Sequence, residues 1–198
     1  MLKIPAFGNT QTVSCDFMTN NEPTILTDLT RLQEIYNLRC LAWENGPYPD
    51  GVNFKNYPNG FYEKIDEKSI HFVIYNGDKE IIAASRLTHI QEFEELPYPK
   101  VFTSFSVYPN ERPFLFYSRL VIHPNYRKMG LKQKMDKIRL QYQKDNQIAF
   151  SVATATDGRT KELIQYGFQK VADVAKDIDP DFPFKHAELL LLLQDINI

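Results

Sequence analysis

Apolar and polar positions alternate over residues 10–17, with Val13, Cys15 and Phe17 on one face, which predicts a strand. Leu29, Leu32, Ile35, Tyr36 and Leu38 then recur at helical spacing. Thr27 or Thr30 can cap the start of that helix, and Gly46-Pro47 closes it. Pro47, Pro49 and Pro58 make the stretch 44–62 a loop. Residues 69–90 read as two strands around Asn76-Gly77, a dipeptide favoured in tight hairpins. Residues 91–115, with four prolines and many aromatics, read as a long ordered loop. A strand rich in aromatic and branched residues follows over 114–122. Leu131, Met135, Ile138 and Tyr142 form one helical stripe, 148–155 a buried-type strand, and 158–168 a short helix ended by Gly167. Two strands, 169–176 and 187–196, close the pattern around a connecting loop.

The unit strand 114–122, helix 130–143, strand 148–155 is a βαβ crossover, so its two strands are expected to run parallel. The fold class is therefore α/β, or α+β by stricter labels, with a mixed sheet. The length of 198 residues suits a single domain, 1–198.

Composition narrows the partners. The net charge of −2 does not suit a protein that coats nucleic acid. Two cysteines, Cys15 and Cys40, make no disulfide framework and fit a reducing compartment. The spacing of His and Cys offers no metal site. The first residues lack the pattern of a signal peptide, and the longest apolar run is too short to span a bilayer, so a cytoplasmic protein without membrane contact is expected.

The stretch His123–Met135, HPNYRKMGLKQKM, sits between a strand and a helix and holds one glycine and five basic residues. The first amides of a helix lack internal partners and the helix dipole adds positive character, so such a turn can hold phosphate. Gly130 would let the backbone approach a ligand, with Arg127, Lys128 and Lys132 at the rim. One glycine among lysines also begins many helices that bind nothing.

The ordered set RLVIHPNYRKMGLKQKM, AFSVATA and TKELIQYGFQKV resembles the acyl-CoA-binding half of the GNAT superfamily, the GCN5-related N-acetyltransferases. The family's R/Q-x-x-G-x-G/A loop has Arg127, Lys128, Met129, Gly130, Leu131 and Lys132 as its counterpart here. The resemblance implies two splayed central parallel strands with acyl-CoA in the gap, as co-substrate and without metal. The backbone of Leu120, Val121 and Ile122 would pair with the pantetheine arm. The implied activity is transfer of an acetyl or other acyl group to a small-molecule amine by direct attack on the thioester, within a protein that can form a homodimer.

Several positions depart from the family pattern. The last loop position is Lys132, where a small residue is usual. Leu163 stands where many members carry a tyrosine acid, and Tyr117 and Ser118 stand where a glutamate base is common. Tyr117, Ser118, His123 and Tyr166 remain as acid/base candidates.

Arg39 with Trp43 on the first helix, Arg86 on one strand and Arg119 on the next are similar to acyl-homoserine-lactone synthases and N-acyl amino acid synthases. That likeness implies long acyl chains delivered by acyl carrier protein as the alternative donor; Phe116 stands where those enzymes carry a glutamate. A buried guanidinium in an apolar strand needs a protein carboxylate or an anionic substrate group. The residues therefore serve as an ion-paired core edge or as the acceptor site. The segment 126–144 carries seven cations against Asp136, a net of 7 − 1 = +6, which reads as a solvated face or as a dock for CoA phosphates or an acidic carrier. A catalytically silent acyl-CoA-binding module is the third reading.

Overall fold

The computed structural model describes residues 21–104, 108–175, 178–179, 182–184 and, as backbone, 189–195. The strand expected over 10–17 lies outside the described residues. Seven strands form one mixed sheet: β1 (Thr24–Ile25), β2 (Ile70–Tyr75), β3 (Ile81–Ile90), β4 (Phe114–Ile122), β5 (Phe150–Thr156), β6 (Gln169–Val174) and β7 (Leu189–Asp195). Their order is β1-β2-β3-β4-β5-β7-β6. Among the described residues four α-helices accompany them: α1 (Leu32–Glu44), α2 (Lys100–Thr103), α3 (Leu131–Asp145) and α4 (Asp157–Ile164). The β4–α3–β5 crossover is parallel, as its length requires, and every other described pairing is antiparallel.

Local chemistry adjusts several boundaries. The first helix opens as a 3₁₀ turn over Leu29–Arg31, capped by Asp28, whose carboxylate accepts from the Thr30 amide at 3.1 Å; neither threonine is the cap. The β2–β3 connection runs over residues 76–80, wider than a turn on Asn76-Gly77 alone, and its left-handed residue is Lys79 (φ +63°). The Asn76 side chain explains this: its Oδ1 accepts from the amides of Asp78 (3.0 Å) and Glu80 (2.8 Å), making a wider turn. The long segment 91–115 holds a 3₁₀ turn and α2 ahead of β4.

The sheet is buried on both faces. Ile35, Leu38 and Ala42 of α1 pack on Val73, Ala84 and Val121. On the other face Leu131 and Met135 of α3 pack with Phe72, Ile74, Leu115, Tyr117, Leu163 and Phe168. Burying each such Leu, Ile or Phe stabilises by about 1.5–3 kcal/mol relative to leaving it exposed. Both layers bear on β4, and Phe114 stacks on Phe150 of β5 at 4.9 Å where the two strands meet.

That pairing is short. β4 and β5 pair at Leu115–Ser151, Phe116–Val152 and Tyr117–Ala153, and no pair follows. Beyond Tyr117, residues 118–122 keep β3 as neighbour on one side only, and 154–156 keep β7 on the far side. A bulge opens the gap: the β3–β4 register shifts between Ala84 and Arg86, and Arg119 takes φ +54°.

Candidate active site

A cleft of about 670 Å³ occupies this gap. Its walls are Leu120, Val121 and Ile122 on β4 and Thr154, Ala155 and Thr156 on β5. Its outer end is the turn before α3, with Arg127, Lys128, Gly130, Leu131 and Lys132. Its other side is the end of α1 and the loop after it, with Trp43, Tyr48 and Val52, closed by Phe184.

The turn has the geometry of an anion cradle. Lys128 (φ +63°) and Gly130 (φ +75°) are both left-handed, a conformation that turns successive amides to one side. Gly130 is the N-cap of α3, no side chain caps it, and the first turn holds no acidic residue. A Cβ built on Gly130 meets no atom within 4 Å, so the space over this helix end is open. The 15-residue helix directs its dipole into that space.

The loop's cations divide. Arg127 turns away to cap α1, donating to the Ala42 carbonyl at 2.5 Å and to that of Asn45. Lys132 is paired with Glu162 of α4, so it neither fills the turn nor stands as a spare cation. Met129 is exposed and is not on the cleft wall. Lys128 lines the cleft at the turn. Lys134 is paired with Glu22 and Arg139 with Asp136, so Arg127, Lys132, Lys134 and Arg139 of the +6 segment all have partners within the chain.

The three arginines converge on two carboxylates that the sequence reading missed. Arg39 holds Asp66 with two bonds of 2.7 and 2.8 Å, and Arg86 Nη1 reaches the same carboxylate at 2.7 Å. Arg119 holds Glu63 with two bonds of 2.5 and 2.6 Å. Arg86 Nη2 lies 3.0 Å from Glu63 Oε2 without the alignment of a hydrogen bond, and Tyr98 donates to Glu63 at 2.8 Å. Of the partners left open for these guanidinium groups, the structure supplies protein carboxylates. Three arginines against two carboxylates leave this cluster at +1. Despite the burial of both acids, Arg119 and Arg86 hold the Glu63 carboxyl down at about 2, and Arg39 and Arg86 likewise hold Asp66 well below the usual carboxylate range. Neither is a competent base.

Gly60 makes this arrangement possible. The Phe61 amide donates to the Tyr36 carbonyl of α1 at 3.1 Å, and Gly60 sits at φ +85° with its Cα so close that an added Cβ would lie 2.8 Å from Tyr36 backbone. The loop therefore docks on α1 and delivers Glu63 and Asp66 inward. Trp43 parts from Arg39: its indole packs edge-on against Phe61 (4.9 Å) and Phe184 (5.4 Å). Trp43 and Arg119 line the cleft, whereas Arg39 and Arg86 stand behind it.

The acid/base candidates scatter. Tyr117 lines the cleft at the last β4–β5 pair. Ser118 lines it too, its Oγ accepting from Arg86 Nε at 2.9 Å. His123 lies outside the cleft wall, its Nδ1 accepting from the Asn125 amide at 3.3 Å. Tyr166 is also outside that wall, in the turn after α4. Among the described residues no cluster of His, Cys, Asp and Glu is arranged to hold a metal ion, and no helix is long and apolar enough to cross a membrane.

No protein-family model and no curated protein matches the sequence. Solved structures do match in fold. Arylalkylamine N-acetyltransferase 2 from Aedes aegypti superposes with a TM-score of 0.69 at 11% identity, over 90% of this chain and 100% of that one. FeeM, an N-acyl amino acid synthase from uncultured soil microbes, gives 0.64 at 10%, over 87% of this chain and 88% of that one. BjaI, a CoA-dependent acyl-homoserine lactone synthase solved with SAM and isopentyl-CoA, gives 0.63 at 14%, over 86% and 78%. The chain has the GNAT fold, and its neighbours include both branches that the residues resembled.

Proposed function

We propose that this protein is an N-acyltransferase that takes an acyl group from acyl-CoA and passes it to an amine by direct attack on the thioester. The observation that carries this reading is the end of β4–β5 pairing at Tyr117–Ala153, which leaves two strand edges facing a cleft that ends on the open N-terminus of α3. The edge groups of 120–122 suit the amides of a pantetheine arm, as an added strand would. The amides from Lys128 to Lys132 suit its diphosphate. Backbone N–H groups near the bulge suit the oxyanion that forms when the amine attacks.

CoA fits this site better than acyl carrier protein as donor. A carrier needs free cations on the surface around the cleft, and four of the seven in the α3 segment are already bonded within the chain. On the acceptor side, Arg119 and Trp43 are the residues that touch the ligand, and Arg39 and Arg86 act through Asp66 and Glu63. The +1 left on the buried cluster favours an acceptor with an anionic group, such as an amino acid. The soluble, cytoplasmic setting expected from the sequence suits such substrates.

Thiol release tests the reading. Acetyl-CoA, longer acyl-CoAs and acyl carrier protein are offered with a panel of amines and amino acids. Turnover with an acyl-CoA supports the proposal. Turnover with the carrier form alone overturns the choice of donor. Tight CoA binding without turnover for any amine would leave a binding module.

A further inference from the structure

Tyr117 carries a buried hydroxyl that the fold leaves unused. The residue is 3% exposed, and its Oη has no hydrogen-bond partner among the described residues. Leaving a buried hydroxyl unpaired costs about 1–3 kcal/mol, so such a group calls for an explanation. Of the described buried polar atoms without a partner, it and none other belongs to a residue on the cleft wall.

Its position is specific. Tyr117 is the last residue of β4 paired with β5, so it stands at the apex of the gap. A thioester whose phosphates rest on the α3 turn would bring its reacting end toward that apex. The ring packs edge-on against Phe168 at 5.3 Å, and the Arg139 guanidinium lies 4.7 Å from its centroid. Leu163, which brings no proton, lines the same cleft from α4 and shares the apolar cluster with Tyr117.

We propose that Tyr117 is the residue that protonates the departing thiolate. This rests on the acyl-transfer reading above. As the acceptor nitrogen bonds to the thioester carbon, the C–S bond breaks and its electron pair stays on sulfur. The Tyr117 O–H proton passes to that sulfur, giving the free thiol and a phenolate. The acceptor nitrogen loses one proton to water, and water returns one to the phenolate. Burial keeps the phenol protonated well above its ordinary range, while the charge of Arg139 works in the opposite sense and steadies the transient phenolate.

Tyr117→Phe tests this, because it removes one oxygen that bonds none of the described residues. The thermal midpoint is expected to hold or rise, and the Kd for acetyl-CoA to change by less than about twofold. The kcat for thiol release is expected to fall by about tenfold or more, with KM little changed. A kcat within about twofold of the parent overturns the proposal, as does a kcat loss matched by a falling midpoint. Should the parent release no thiol with any amine, acyl transfer fails, and calorimetry decides the role of Tyr117 separately. The parent should then bind CoA more tightly than desulfo-CoA by about threefold or more, with the preference absent in Tyr117→Phe. Equal affinities in the parent overturn it.

Discussion

Arg119 grips Glu63 with two hydrogen bonds of 2.5 and 2.6 Å across 56 residues of sequence, while its own backbone sits at φ +54°. A non-glycine residue in that region costs of order 1–3 kcal/mol and persists where its surroundings over-determine it. Here the ion pair does so, with Phe184 and Phe61 packed on the guanidinium at 4.9 and 5.4 Å. The bulge that opens the cleft is thus tied to a carboxylate on a distant loop.

Glu63→Gln keeps the shape of the side chain and removes its charge. The cluster then holds three guanidinium groups against Asp66 alone. Breaking a buried pair on one side costs about 3–5 kcal/mol. At this chain length each kcal/mol shifts the midpoint by roughly 2–4 °C. A fall of about 10 °C is expected in a thermal melt, and a change under about 2 °C would show that the pair is solvated.

Acid should destabilise the fold in two stages. His71 is held neutral chiefly by burial, so its folded pKa lies below the ordinary 6.5. Glu63, ordinarily at 4.5, titrates at about 2 in the folded chain, and Asp66 is also depressed. In each case the unfolded state takes up protons first, so stability falls with pH. The His71 share is lost below about pH 6.5, and the larger carboxylate share as pH drops from about 4.5 toward 2. Urea midpoints measured from pH 8 to pH 3 check this; a flat profile down to pH 3 would contradict it.

Gly130→Ala separates backbone strain from ligand approach. The φ of +75° adds roughly 1–2 kcal/mol of strain for any side chain, with no clash in the free protein. Acetyl-CoA affinity is expected to drop by about tenfold, equivalent to 1.4 kcal/mol, and further for the β-branched Gly130→Val. Unchanged affinity in a folded variant would remove this turn from the site.

Trp43→Ala opens the acceptor wall by removing the indole between Phe61 and Phe184. The KM for the amine should rise by roughly an order of magnitude, while the Kd for acetyl-CoA stays put. The opposite pattern would place Trp43 on the donor side.

The crossover from β4 through α3 to β5 is legible because its signals are local: a branched strand, a glycine turn and a stripe at helical spacing. The cleft between the strands followed from resemblance, since nothing in a strand's own residues says where its pairing ends. Arg39, Arg86 and Arg119 stood out as charges in apolar settings, yet Glu63 and Asp66 did not, because the contacts that bury them span 20 to 56 residues. One signal was present. An acid pair at spacing three ahead of a strand marks a capped turn, and Asp66 does accept from the Glu63 amide at 2.9 Å. The second role of Arg127, as the α1 cap, was hidden for the same reason: its partners lie more than 80 residues away.

Amide hydrogen exchange with and without acetyl-CoA bears on the central claim most directly. The amides of residues 120–122 and 128–132 should slow on addition of the thioester, and those of β2, far from the gap, should not. Binding that leaves both segments exchanging at their free rates would contradict the account.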